Sequence, residues 1–185
     1  MPGFLFAFVA ALIAGFGARD QVMVAHLSMR LGARASLLLV AWGGAVVASV
    51  LAAWGAATLA AQVPDAGRLL LAAIALAAAG AEALLLRPSA PPAEPTRSLA
   101  AIAIVLFALQ LTDSVRFLAF AVALATMAPV AAGAGVAAAS VAALGVAALA
   151  GSELVRLPIV RMRRVAGVIL CLAALVVAVR ALGFA

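Results

Sequence analysis

The chain has no lysine, one cysteine, one histidine and only six acidic residues among 185. Charged residues make up 10% of it and apolar residues 69%, where a soluble domain has about a quarter and about half. That scarcity of charge excludes an ordinary water-soluble globule. The single cysteine, Cys171, excludes an internal disulfide and reads as a small buried side chain. A metal-binding Cys/His set, a phosphate-cradling glycine loop and a Ser/His/Asp arrangement are all missing, so the chain does not read as an enzyme and implies no cofactor. The alternating pattern of a membrane barrel is missing too. The net charge of +6 comes entirely from arginine. These arginines lie between apolar runs instead of forming one patch, which excludes nucleic acid as the partner and leaves the lipid bilayer.

What is present is a set of long apolar runs. Residues 4–29, 36–61, 69–86, 99–127, 131–151 and 164–182 each approach or exceed the roughly 20 helical residues that cross a bilayer. Lipid offers the backbone no hydrogen-bond partners, so helices are the expected form. The first run has no basic residue before it and continues past Asp20, so it reads as a retained span, not a cleaved signal. The expectation is an all-α polytopic membrane protein with six spans.

Residues 87–98 hold Pro88, Pro91, Pro92 and Pro95, which no helix interior tolerates. This linker divides the chain into residues 1–86 and 99–185. Each half opens on a run with Asp at its centre, continues into a run rich in Ala and Gly, and reaches its third run through a proline, Pro64 or Pro158. Asp20 and Asp113 stand in register with the two prolines, which suggests two three-helix repeats. An odd number of helices inserts the second repeat upside down, as in many carriers. Glycines such as Gly43, Gly44, Gly133, Gly135 and Gly145 would let the second helices approach their neighbours closely. Arg30, Arg34, Arg87, Arg97, Arg156, Arg161, Arg163 and Arg164 fall on one face and Arg68 and Arg180 on the other. The arginine-rich face is therefore expected to be cytoplasmic, with both termini periplasmic and the protein in a cell inner membrane.

Two stretches put charge inside the apolar runs: Gly17-Ala18-Arg19-Asp20-Gln21-Val22 and Gln110-Leu111-Thr112-Asp113-Ser114-Val115-Arg116. A charge at the centre of a span costs about 2.5–3.5 kcal/mol on insertion scales, so it marks function. In a continuous helix, Gln110, Asp113 and Arg116 would share one face, while Arg19 would point away from Asp20. Two carboxylates meeting at the midplane, with oxygens from Gln21, Gln110, Thr112 and Ser114, could hold a hard divalent cation or carry protons. Arg19 and Arg116 are the expected charge partners and would bring the local sum to zero.

This arrangement resembles the calcium/manganese–proton antiporters of the Golgi and of bacteria, within the lysine-exporter superfamily. Their motif is Glu-x-Gly-Asp-Lys/Arg-Thr/Ser, once in the first helix of each half. The resemblance covers the six spans, the proline before each third span and the Arg163-Arg164-Val165-Ala166-Gly167 opening of the last. Asp20 and Asp113 hold the motif's aspartate. Gly17 and Gln110 replace its glutamate, Arg19 and Thr112 its glycine, and Gln21-Val22 and Ser114-Val115 its last pair. The resemblance implies divalent cation–proton exchange, with the cation as cargo. The altered motif leaves a second reading: a relative that no longer moves divalent cations, either structural or a carrier of another, anionic solute facing Arg19 and Arg116.

Outside the motifs, His26 is a candidate proton relay or a helix-contact histidine. Glu82 is expected at the interface, reaching to water. Glu153 is expected to pair with Arg156 on the surface. Trp42 and Trp54 could mark the two interfaces, and the arginines from 156 to 164 could touch anionic lipid.

Overall fold

The computed structural model describes residues 2–88, 90 and 97–183, so most of the proline linker lies outside the described residues. The described residues form α-helices and connecting turns with no strand. The helices are α1 (Pro2–Ala14), α2 (Arg19–Leu31), α3 (Ala35–Ala60), α4 (Asp65–Leu85), α5 (Leu99–Leu111), α6 (Ser114–Thr126), α7 (Pro129–Ala150), α8 (Ser152–Arg156) and α9 (Ile159–Ala181).

Four of these, α3, α4, α7 and α9, are each long and apolar enough to cross a membrane. The pairs α1–α2 and α5–α6 qualify as two more, each as a bent pair, with bends of 63° and 49°. The expected six runs are thus present, but the first and fourth are broken in the middle. The breaks have local causes. Between α1 and α2 the chain passes through Gly15 and Gly17, and Gly17 takes φ +74°, a left-handed conformation that favours glycine. Between α5 and α6 stand Thr112, Asp113 and Ser114, whose short polar side chains compete with helical hydrogen bonds. Two further boundaries follow the sequence: Pro64 and Pro158 occupy the cap positions of α4 and α9. The short α8 was not legible as a helix.

Burial runs opposite to that of a soluble protein. Large apolar side chains face outward, including Phe6, Ile104, Val130 and Leu149, because the surrounding solvent is hydrocarbon. The interior is built mostly from alanine, with Ala7, Ala41, Ala45, Ala72, Ala79, Ala119, Ala132 and Ala147 almost wholly buried. Small side chains let backbones approach, and packing replaces the hydrophobic drive that lipid removes. One close approach is between α4 and α9. A Cβ added at Gly80 or Gly167 would collide with the other helix, each against the other's carbonyl oxygen. Of the glycines singled out from the sequence, Gly133 and Gly135 on α7 and Gly44 on α3 also stand at close approaches, Gly135 against the Phe4 carbonyl of α1, whereas Gly43 faces open space. Trp54 points outward as an interfacial residue would, while Trp42 packs against a buried cluster around Leu37 and Leu144.

Candidate ion-binding site

The two breaks bring the aspartates together. Asp20 lies in the first turn of α2, and Asp113 is the residue that precedes α6. They are 4% and 1% exposed, and both line one small cavity with Gln21, Ser140, Gly15, Ala18 and residues of α7. The cavity has about 10 Å³ of room, close to the least that holds one water. Asp20 Oδ1 accepts the Gln21 backbone N–H at 2.7 Å. Asp113 Oδ1 and Ser114 Oγ are buried with no hydrogen-bond partner among the described residues, an expensive arrangement for a buried polar atom. The positive ends of α2 and α6 start beside the carboxylates, and α1 and α5 end there with their negative ends.

The break overturns the expectation of a single face carrying Gln110, Asp113 and Arg116. The helical frame stops at Leu111 and restarts at Ser114, so the three side chains diverge. Gln110 is fully buried and donates through Nε2 to the Ala41 carbonyl of α3 at 3.0 Å. Arg116 is 4% exposed and donates through Nη1 to Ser140 Oγ at 2.9 Å. No salt bridge joins Arg116 to either aspartate among the described residues. Ser140, on α7, stands between the arginine and the cavity; sequence reasoning passed over it because a lone serine in an Ala-rich run carries no pattern.

Two of the expected oxygen ligands have other work. Gln21 Oε1 accepts the Gly17 N–H at 2.6 Å, and its Nε2 reaches the Ala143 carbonyl of α7 at 3.2 Å. Gln21 therefore closes the break after α1 and pins it to α7. Thr112 Oγ1 bonds the Ala108 carbonyl at 3.1 Å and accepts from Arg19 Nη2 at 3.0 Å. The oxygens left to the cavity are those of Asp20, Asp113 and Ser140, with Ser114 adjacent. Among the described residues no three His, Cys, Asp or Glu side chains cluster as a metal site.

The charge arithmetic also changes. Glu82 is not interfacial: it is 6% exposed. It accepts from Arg19 Nε at 2.7 Å and from Arg163 Nη2 at 2.9 Å to both carboxylate oxygens. Arg163, assigned to a cytoplasmic loop from sequence, is 2% exposed and also donates to the Gly17 carbonyl at 3.3 Å. This clasp ties α2, α4 and α9 together beside the first break. It takes the charge of Arg19 away from the role of neutralising the cavity. The surface pair Glu153–Arg156 forms as expected, at 2.7 Å. His26 is 6% exposed and lines a different cavity, away from the aspartates. No family model, curated protein or solved structure matches the chain.

Proposed function

We propose that the chain is a membrane carrier of a small cation exchanged for protons, with Asp20 and Asp113 as the shared carrying pair. One observation carries the reading: two buried aspartates, each at the break of a bent span, line one cavity of about one water's size. Carboxylates in so dry a place are expensive unless neutralised, so protons and a cation compete for them. The cavity wall holds two acids and no base, with Arg116 held behind Ser140. That favours a cation more than the zero sum expected from sequence. The resemblance of the motifs points to manganese or calcium as cargo. Waters would supply the oxygens that two carboxylates and a serine lack.

Inverted repeats fit this reading. The first bent pair packs on α7 and the second on α3, each on the opposite half. Gln21 and Gln110 make the same exchange, bonding to α7 and α3. Without the buried Arg163, one face still has Arg30, Arg34, Arg87, Arg97, Arg156, Arg161 and Arg164 against Arg68 and Arg180. This supports a cytoplasmic linker and periplasmic termini in an inner membrane.

A second reading rests on the shortage of oxygens: the aspartates carry protons alone, and the divalent ion is lost as cargo. Proteoliposomes separate the two. With a pH gradient imposed, the first reading expects manganese uptake that vanishes in Asp20→Asn and Asp113→Asn. Proton flux without manganese or calcium uptake, abolished by the same substitutions, selects the second. Wild-type transport unaffected by either substitution overturns both.

A further inference from the structure

A second cavity opens on the arginine-rich face, between the α8–α9 turn, the end of α4 and α2. It holds about 740 Å³ and is lined by Val22, His26, Arg87, Pro88 and the residues from Val155 to Arg161 except Arg156. Its polar groups are of one kind. Arg87 and Arg161 are exposed and make no salt bridge among the described residues. His26 is 6% exposed, has no hydrogen-bond partner there, and its Nδ1 is left orphaned inside the wall. No acidic side chain among the described residues lines the cavity. The Glu153–Arg156 pair on α8 is already closed on itself, and the charge acting on His26 is Arg30. The N-terminus of α9 adds a positive dipole end where Ile159, Val160 and Arg161 meet the cavity.

We propose that this cavity binds an anionic phosphate group, held between Arg87 and Arg161 with His26 at the wall. Guanidinium forks suit phosphate oxygens, and the α9 N-terminus adds a positive dipole end, although its Ile159 and Arg161 N–H groups already donate to the Leu157 and Pro158 carbonyls. The cavity lies at the end of α4, the depth expected of lipid headgroups on that face, so the phosphate can come from an anionic lipid or from solution. The chemistry is shared, and the experiment distinguishes the sources.

The full chain is purified and delipidated in a neutral detergent. Inorganic phosphate is titrated in by calorimetry. Retention of phosphatidylglycerol against phosphatidylcholine is scored by native mass spectrometry after exchange into nanodiscs holding both. Phosphate binding in detergent identifies a soluble phosphate ligand; selective retention of phosphatidylglycerol alone identifies a lipid headgroup. In either case Arg87→Gln and Arg161→Gln are each expected to weaken binding about fivefold, and Arg156→Gln to leave it unchanged. No phosphate binding together with equal retention of both lipids overturns the site. So do equal losses in the Arg161→Gln and Arg156→Gln chains. Asp20→Asn and Asp113→Asn lie outside this cavity and are expected to leave its binding intact, so the two sites stand or fall separately.

Discussion

Glu82 is a buried carboxylate outside the aspartate cavity. It sits between Arg19 and Arg163 with both carboxylate oxygens occupied. Its neutral amide would leave two buried guanidinium groups facing each other. Breaking a buried ion pair from one side costs about 3–5 kcal/mol, and Arg19, 14% exposed, keeps the loss near the lower end. Glu82→Gln is therefore expected to lower the melting midpoint in detergent by several degrees. An unchanged midpoint would show that the clasp contributes no stability. At Arg116 the expectation has the other sign. Arg116→Gln keeps a donor for Ser140 and removes a positive charge from behind the cavity, so manganese should bind more tightly in equilibrium dialysis. Weaker binding would mean that the arginine helps hold the ion. Asp20, Asp113 and Arg116 were legible in the sequence because charge inside an apolar run is conspicuous. Glu82 and Arg163 were not, since each stands near the end of a run and finds its partner across 63 or 81 positions. Ser140 was invisible because a lone serine in the middle of an Ala-rich run carries no pattern.

The spans themselves were readable from hydropathy, and the third of each half begins at the proline that announced it. The breaks were not read, although their causes stand in the sequence as Gly15, Gly17 and the run Thr112-Asp113-Ser114. An apolar run looks the same whether its helix is continuous or bent, because composition is blind to dihedral angle. Gly17 is where the break is tested. Its left-handed backbone costs a residue with a Cβ about 1–2 kcal/mol, and an added Cβ would also overlap the Ile159 side chain. Gly17→Ala is expected to destabilise the chain in thermal unfolding, and Ile159→Ala added to it to restore only part of the loss. Full restoration would show that the backbone there is unstrained. The α4–α9 crossing supplies a paired comparison. Gly167→Val should separate the helices and lower the melting midpoint. Gly43→Ala, facing open space, should raise it slightly, as helix propensity alone dictates. The reverse order would place the tight crossing elsewhere.

For the whole molecule, the outward apolar surface and alanine interior require lipid, and the arginines decide which way round the chain sits. Ala33 and Gln62 are exposed on opposite faces, after α2 and after α3. In a Cys171→Ala background, Ala33→Cys should resist a membrane-impermeant maleimide applied to the periplasmic side, and Gln62→Cys should react. The opposite labelling would invert the orientation. The inverted pairing of halves proposed above would account for the central feature, since each three-helix unit would then supply one aspartate to the shared chamber. The most direct test of that chamber needs no transport. In the Cys171→Ala chain, Asp20→Cys and Asp113→Cys are combined and titrated with cadmium, which two thiolates can bridge. One cadmium ion per chain, bound far more tightly by the double variant than by either single variant and blocking maleimide at both positions, is the expected result. Two independent weak sites, or free labelling of both cysteines in saturating cadmium, would contradict a shared chamber and with it the carrier reading.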